Sequence, residues 1–204
     1  MDLNSLVKQI KKIEVNTNNP TVIYSSIWQL KFLYKKSPDT ICKYLFREII
    51  KLSKKKDILI TAFINTKKLQ NINIGKKKIL TGYLAEYLAK KRSFYRTLNP
   101  FFSFLIIGPN KKKLISKSAK YEWGDGSLYD WLYKKNANII TIGTHPTNCS
   151  FSHYAEQKMK NIITYRYFKK INASFIDKKK RIYFSRNFFL RKKGVREVRF
   201  DFML

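Results

Sequence analysis

The chain has 204 residues and carries 43 Lys and Arg against 13 Asp and Glu, a formal net charge of +30. Because 44% of the residues are hydrophobic and 15% aromatic, a disordered polycation is excluded, and a single folded domain over 1–204 is predicted. The charge favours phosphate-bearing ligands, which include nucleic acids, anionic membrane surfaces and phosphorylated small molecules.

Four short apolar segments predict β-strands that are covered on both faces. They are residues 21–27, 57–63, 101–108 and 138–144. Between them, apolar residues recur with the period of an amphipathic helix. This pattern spans residues 40–55, 82–91 and, more briefly, 129–133. The alternation predicts an α/β fold, a three-layer α/β/α sandwich with a mixed, mainly parallel central sheet.

The end of the chain has a different pattern. Residues 181–190 and 195–202 flank a short turn, Lys192-Lys193-Gly194, and the second segment alternates apolar with charged residues. This predicts a C-terminal β-hairpin. Ligand-binding groups of such α/β sheets collect on the loops that follow the carboxyl ends of the strands.

The apolar runs, the cysteines and His145 indicate the cellular compartment and whether a metal is bound. No apolar run approaches the roughly 20 residues of a membrane helix, and residues 1–15 do not resemble a signal peptide. Cys42 and Cys149 lack the spacing of metal ligands and are typical of thiols in a reducing compartment. His145 precedes Pro146 and is predicted to be an exposed loop residue. We therefore expect a cytoplasmic protein without membrane insertion and without a bound metal.

His153 is the strongest candidate for a catalytic residue. It follows the strand predicted over 138–144, and Ser150 or Ser152 is placed to cap a helix that begins there. His153 would then lie in the first turn, with Glu156 three residues later on the same face. A helix N-terminus keeps the imidazole neutral and a carboxylate fixes its tautomer. The pair predicts a general base, and the alternative is a structural, hydrogen-bonded histidine.

A second polar segment, residues 96–103, lies at the entrance of a predicted strand. Its sequence RTLNPFFS combines a guanidinium, two hydroxyls and an amide. Such groups can hold a phosphate or hydrogen-bond an amide-containing chain such as pantetheine.

Seven segments, in chain order over about residues 20–170, resemble motifs of the aminoglycoside 3-N-acetyltransferase family, acetyl-CoA-dependent enzymes outside the GNAT fold. They are residues 24–27 (YSSI), 61–63 (TAF) with Thr66, 82–86 (GYLAE), 96–103 (RTLNPFFS), 123–127 (WGDGS), 149–156 (CSFSHYAE) and 165–169 (YRYFK). The chain departs from the family pattern at Tyr24 and Asn99, which replace histidines, and at Thr97, which replaces serine. Asparagine keeps hydrogen bonding at this position but cannot take up a proton.

The resemblance implies transfer of an acetyl group from acetyl-CoA to an amine. It makes His153 the base that deprotonates the amine, and Glu156 the residue that orients His153 or contacts the amine. Five residues match positions expected to line the CoA groove: Ser25, Ser26, Arg96, Thr97 and Ser103. Glu86 and Asn99 are predicted to contact the acceptor.

The acceptor and one alternative function follow from the charge. A natural aminoglycoside is polycationic, and 13 acidic residues in a +30 chain disfavour it. The predicted acceptor is an amino sugar, aminoglycoside-like or linked to a nucleotide as in surface polysaccharide synthesis. The alternative is a catalytically degenerate member that binds a polyanion such as RNA, because residues 158–199 interleave basic and aromatic residues. Such interleaving is also typical of a sheet with one buried and one solvated face.

Overall fold

A computed structural model describes residues 3–12, 18–64, 71–73, 78–99, 101–115, 120–177 and 180–195. The helices are α1 (Leu3–Lys12), α2 (Ile27–Tyr34), α3 (Pro38–Ser53), α4 (Tyr83–Ala89), α5 (Lys111–Ile115), α6 (Leu128–Lys134) and α7 (Ser152–Lys158). The strands are β1 (Thr21–Ser25), β2 (Ile58–Thr61), β3 (Ile72–Asn73), β4 (Tyr95–Arg96), β5 (Phe104–Ile107), β6 (Asn138–Ile142), β7 (Arg166–Asp177) and β8 (Lys180–Arg191). Thr66 lies outside the described residues.

The central sheet has the strand order β4-β5-β2-β1-β6. β1 is parallel to β2 and to β6, whereas β5 is antiparallel to both of its neighbours, β2 and β4. Four of the five strands therefore run in one direction, which confirms the mixed, mainly parallel sheet. The four predicted apolar segments correspond to β1, β2, β5 and β6. β6 is predicted to be covered on both faces, but it is an edge strand of the sheet, and its residue Ile139 is 43% exposed.

Each face of the central sheet carries its own core. Helices α1 to α4 cover one face and bury side chains such as Ile23 and Ile60. The opposite face, which buries Val22 and Leu59, is covered by α5, α6, α7 and a second sheet of order β3-β7-β8. The three-layer fold is confirmed, with one outer layer built partly of strands. A single domain over 1–204 stays a prediction.

Local capping explains where two of the helices begin. Ser37 caps α3 by accepting a hydrogen bond from the Thr40 amide at 3.2 Å, and Pro38 occupies the first turn. Ser127 caps α6 through the Asp130 amide at 3.1 Å.

No helix within the described residues is long and apolar enough to cross a membrane.

The C-terminal hairpin is confirmed, and within the described residues its strands are β7 and β8. β8 pairs antiparallel with β7 over their full lengths, from Arg166 opposite Arg191 to Asp177 opposite Lys180. Residues 196–202, the greater part of the predicted second strand, lie outside the described residues. Phe175 of β7 and Phe184 of β8 are buried, so one face of this hairpin contributes to the core.

Candidate active site

A cavity of about 290 Å³ opens at the carboxyl edge of the central sheet. β1, β2 and β6 run parallel, so their carboxyl ends meet at this edge. The cavity wall consists of Tyr24, Ser25, Ser26, Ile27, Trp28, Thr61, Leu80, Thr81, Gly82, Tyr83, Thr144 and Asn148. None of these described residues carries a charge, and several present hydroxyl groups. The structure thus brings Ser25 and Ser26, both predicted to line the CoA groove, into one cavity.

Two glycines let the chain approach the end of β1 closely. Gly82 has a φ of +103° and Gly143 a φ of +63°. A Cβ on Gly82 would lie 3.1 Å from the Ser25 carbonyl oxygen, and one on Gly143 would lie 2.6 Å from the Ser26 carbonyl oxygen. These positions require glycine both for the left-handed backbone and for space.

We expect Gly143→Ala to lower the free energy of unfolding by more than the left-handed backbone alone costs, which is about 1–2 kcal/mol. The excess comes from the contact with the Ser26 carbonyl, which is backbone and cannot easily move. Gly126→Ala is the matched control, because Gly126 has a φ of +75° and no atom within 4 Å of its Cβ position. Urea denaturation of both variants measures the difference, and equal midpoints would contradict the steric argument.

The rim of the cavity combines an aromatic ring with a cation. Trp28 lines the cavity and is 54% exposed. The Lys31 ammonium lies 5.1 Å from the centroid of the Trp28 ring, one turn further along α2. The hydroxyl-lined interior suits a polar, uncharged chain, and the rim suits an aromatic group that carries phosphate.

His153 lies in the first turn of α7, as predicted, but no serine caps that helix. The N-cap residue is Phe151, and its side chain makes no capping hydrogen bond. The Ser152 hydroxyl donates to the Cys149 carbonyl at 3.1 Å. The Ser150 hydroxyl lies 3.0 Å from the hydroxyls of Tyr24 and Tyr129. The predicted serine cap is therefore wrong, because both hydroxyls have other partners.

His153 and Glu156 form a hydrogen-bonded pair. His153 Nδ1 lies 2.8 Å from Glu156 Oε2. Arg166 Nη2 lies 3.2 Å from the same Nδ1 and 2.7 Å from Glu156 Oε2. A guanidinium only donates and an ionised carboxylate only accepts, so we assign the Arg166 proton to the nearer carboxylate oxygen, which leaves the proton on Nδ1 for Glu156 and a lone pair on Nε2. Glu156 is in turn fixed from outside α7: its Oε1 accepts from the Tyr165 hydroxyl at 2.9 Å and from Arg166 Nη2 at 3.0 Å. Glu156 thus orients the His153 imidazole, and Tyr165 and Arg166 orient Glu156.

The electrostatics keep the imidazole neutral and the carboxylate ionised at neutral pH. Burial lowers the pKa of His153, and the charges of Arg166 and Arg191 lower it further, against the opposing effect of Glu156. Burial acting alone would raise the pKa of Glu156, but hydrogen bonds from His153 and Tyr165 and the charge of Arg166 lower it overall. The His153 side chain remains 31% exposed, so a substrate can reach it.

Arg96 and Ser103 face inward and join neighbouring strands. Arg96 donates from Nε to the Ser103 hydroxyl at 2.8 Å and from Nη2 to the Ala62 carbonyl at 2.7 Å. The Ser103 hydroxyl donates to the same carbonyl at 2.6 Å, and Ser103 is fully buried. Burial lowers the pKa of Arg96 to about 10. These residues hold the end of β2 against β4 and β5 and are not in the cavity wall.

Thr97 and Asn99 are also buried and bound to the backbone. The Thr97 hydroxyl accepts from the Phe104 amide at 2.9 Å. Asn99 Oδ1 accepts from the amides of Phe101 at 2.9 Å and Phe102 at 3.0 Å. In this fold the asparagine that replaces a family histidine shapes the entrance to β5.

Sequence reasoning missed a buried ion pair beside Asn99. Glu122 is 2% exposed; its Oε2 lies 3.0 Å from Arg186 Nη1, and its Oε1 accepts from Asn99 Nδ2 at 2.6 Å. All three residues border a water-sized cavity of about 10 Å³. Burial raises the pKa of Glu122 to about 7, against the opposing effects of Arg186 and Asn99. No local pattern marks this pair, because Arg186 lies on β8, far along the chain.

The remaining predicted residues lie away from the cavity wall. Glu86 is half-buried on α4, one turn beyond Tyr83. His145 is exposed, as predicted, and its Nδ1 accepts from the Thr147 amide at the start of a short 3-10 helix, Pro146–Asn148. In the part of the chain that the structure describes, no group of three His, Cys, Asp or Glu side chains could hold a metal ion.

A mixed α/β sheet, a hydroxyl-lined cavity at its carboxyl edge and a carboxylate-held histidine on a following helix are typical of an enzyme that transfers a chemical group. The sequence profile of the aminoglycoside 3-N-acetyltransferase family matches residues 74–198, more than half of the chain. The chain belongs to this family. The membership confirms the predicted enzyme class, an acetyl-CoA-dependent acyltransferase.

Solved structures show the same fold. The chain superimposes on the YokD protein from Bacillus subtilis with a TM-score of 0.71 and 14% identity, covering 93% of this chain and 82% of that one. Sisomicin-bound AAC-VIa gives a TM-score of 0.73 at 15% identity, and AAC-IIIb in a binary complex with CoASH gives 0.71 at 16%. Each of these two matches covers 93% of this chain and 76% of the other. No curated protein sequence matches the chain significantly.

Proposed function

We propose that the protein transfers the acetyl group of acetyl-CoA to the amine of an amino sugar that carries phosphate, such as a nucleotide-linked sugar of surface polysaccharide synthesis. The observation that carries the proposal is the pair of His153 and Glu156, joined at 2.8 Å with Nε2 left as a proton acceptor. We place the reaction in the cytoplasm, where the free thiols Cys42 and Cys149 stay reduced.

In the proposed mechanism, His153 accepts one proton and later donates it. Nε2 takes a proton from the amine as the amine nitrogen attacks the thioester carbonyl of acetyl-CoA, which supplies the activated acetyl group. A carbon–nitrogen bond forms, the carbon–sulfur bond breaks, and the same proton passes from Nε2 to the leaving sulfur. Glu156 stabilises the imidazolium that exists between these two transfers.

The cavity at the sheet edge is the proposed site for the CoA chain. Ser25 and Ser26 present hydroxyls to it, and Trp28 with Lys31 offers a stacking surface and a cation at the rim for the nucleotide end. Arg96, Thr97 and Ser103 serve this site indirectly in the proposal, by holding the strand ends through their inward hydrogen bonds.

The charge around the base argues for an acceptor that carries an anion. Arg166 and Arg191 both act on His153, and the described cavity wall is uncharged. Glu156 compensates the charge of Arg166 at 2.7 Å, so the repulsion of a polycation and the attraction of a phosphate come from Arg191 and from the net charge of +30. Glu86 and Asn99 stay predicted acceptor residues, Glu86 through its carboxylate and Asn99 through the loop that it shapes.

The proposal is tested by incubating the protein with acetyl-CoA and three groups of amines: nucleotide-linked amino sugars, free amino sugars and aminoglycosides. Thiol release reports acetyl transfer, and calorimetry reports CoA binding. We expect turnover with the phosphate-bearing sugars and little with the aminoglycosides. The absence of thiol release with every amine, together with no CoA binding, would refute it.

Polyanion binding is the second candidate function, and the outer surface of the hairpin favours it. Tyr183 is 78% exposed, and Lys170 of the neighbouring strand, which the pairing register places on the same face, is also exposed. Bases stack on such rings, and lysines contact the phosphates. RNA affinity that falls steeply with salt, in the absence of CoA binding, would support this function over acetyl transfer.

A further inference from the structure

We propose that Trp123 is a positioning residue for the general base, because its ring forms the wall that holds His153 in line with Glu156. The inference rests on the proposed role of His153. Trp123 is 3% exposed, and its ring centroid lies 4.9 Å from that of His153, with the ring planes at 52°. The His153 ring therefore packs against the indole of Trp123 and forms its hydrogen bond with Glu156 through Nδ1.

The Trp123 ring has little freedom to move. Phe102 and Phe188 pack on it edge-on, with centroid distances of 5.1 Å and 5.7 Å. The position of the histidine ring is thus defined by a rigid aromatic cluster that belongs to other elements than α7.

The backbone beside Trp123 is fastened to β8. The Glu122 amide donates to the Asn187 carbonyl at 3.0 Å, and the Asn187 amide donates to the Lys120 carbonyl at 2.9 Å. The Glu122 side chain adds its ion pair with Arg186 on the same strand. The buried ion pair, which the reaction itself does not use, thereby gains a role as the anchor of the Trp123 wall.

Gly124, the residue after Trp123, allows the same segment to approach α7 closely. A Cβ on Gly124 would lie 2.3 Å from Gln157 Nε2, so the backbone approaches α7 as closely as a glycine allows. The segment 122–124 therefore meets α7 at two places, with the indole on His153 and the glycine backbone on Gln157. Because the segment is bonded to β8, this double contact fixes α7, the helix that carries His153, relative to β8.

Charged and titratable groups face His153 on its other sides. They are Glu156 from α7, Arg166 and Tyr165 from β7 and the residue before it, and Arg191 from β8. Trp123 contributes no charge; it excludes water from one face of the ring. A smaller aliphatic residue would admit water, which solvates the imidazolium and allows the ring to turn away from Glu156.

The experiment compares Trp123→Leu, Trp123→Phe and the control Phe175→Leu, which truncates a buried ring of the same core on β7 that is not among the ring contacts of His153 or Trp123. The chain has only two histidines, so NMR titration of the imidazole signals follows His153 directly, with His153→Gln for assignment. We expect the titration midpoint of His153 to rise in Trp123→Leu and to stay near the wild-type value in the other two variants. We also expect kcat at pH 7 to fall about 10-fold to 100-fold in Trp123→Leu alone.

Two results would overturn the proposal: an unchanged midpoint in folded Trp123→Leu, or an equal shift in Phe175→Leu, which would mean general loosening of the core. Circular dichroism verifies folding, and Trp123→Met replaces the leucine variant if that variant does not fold. The titration needs no substrate, so a protein without acetyl transfer activity would refute the proposed function and still give a readable midpoint for His153.

Discussion

Replacing His153 by glutamine is expected to lower kcat for acetyl transfer by about 10²- to 10⁴-fold, the usual contribution of a general base. Glutamine can still hydrogen-bond Glu156 but cannot take a proton from the amine. CoA affinity should hardly change, because His153 is not part of the cavity wall. Steady-state rates of thiol release and calorimetric titration with CoA measure the two quantities separately.

The matched control is His145→Gln. His145 is the other histidine, exposed and engaged only with the short helix turn that it begins. This variant should retain wild-type kcat. A His153→Gln enzyme with an unchanged rate, or an equal loss in both variants, would remove His153 from the mechanism.

The pH dependence of the wild-type rate provides a further measure of the same base. In the proposed mechanism His153 acts in its neutral form, and burial together with Arg166 and Arg191 holds its pKa below the ordinary value of about 6.5. The protonation of His153 should therefore lower the rate to half only below about pH 6.5, after the separate titration of the acceptor amine is allowed for. A midpoint of the His153 imidazole above about pH 7, measured by NMR in the absence of the amine, would contradict this expectation.

The sequence predicts the parts of the site that depend on local spacing. His153 and Glu156 are three residues apart, and any helix over this segment brings them together. Likewise, apolar segments followed by hydroxyl residues predict that Ser25 and Ser26 lie at the sheet edge. The family motifs add the order of these segments but not the direction in which each side chain points.

What the sequence could not predict depends on long-range pairing. The inward orientation of Arg96 follows from the Ala62 carbonyl and Ser103, which reach it only after β2 and β5 have paired. The sequence does not mark β7 as a strand, because its basic and aromatic residues are equally typical of a binding surface. The support that Arg166 gives to Glu156 could not be foreseen for the same reason.

The buried ion pair leads to the second large effect. Arg186→Met should lower the free energy of unfolding at pH 8 by about 3–5 kcal/mol, because it leaves the Glu122 carboxylate buried without its cation. Urea denaturation at pH 8 and at pH 5 measures the change. At pH 5 the loss should be smaller, since a protonated Glu122 carries no charge.

The sign of this pH dependence follows from the pKa of Glu122, which burial raises to about 7 in the folded protein, whereas an unfolded Glu titrates near 4.3. The folded state binds this proton more tightly, so the contribution of Glu122 to stability is complete below about pH 4.3 and is lost as the pH rises through 7. Arg186 lowers the pKa of Glu122, so its removal raises that pKa further. In Arg186→Met the free energy of unfolding should therefore continue to fall at pH values above about 7.

A double variant separates the charge from the packing. Glu122→Gln combined with Arg186→Met removes both charges, while the amide oxygen introduced at position 122 can still accept from Asn99. The double variant should therefore regain most of the stability that Arg186→Met loses at pH 8. Equal losses at both pH values, or a double variant as unstable as the single one, would contradict an ion pair in this core.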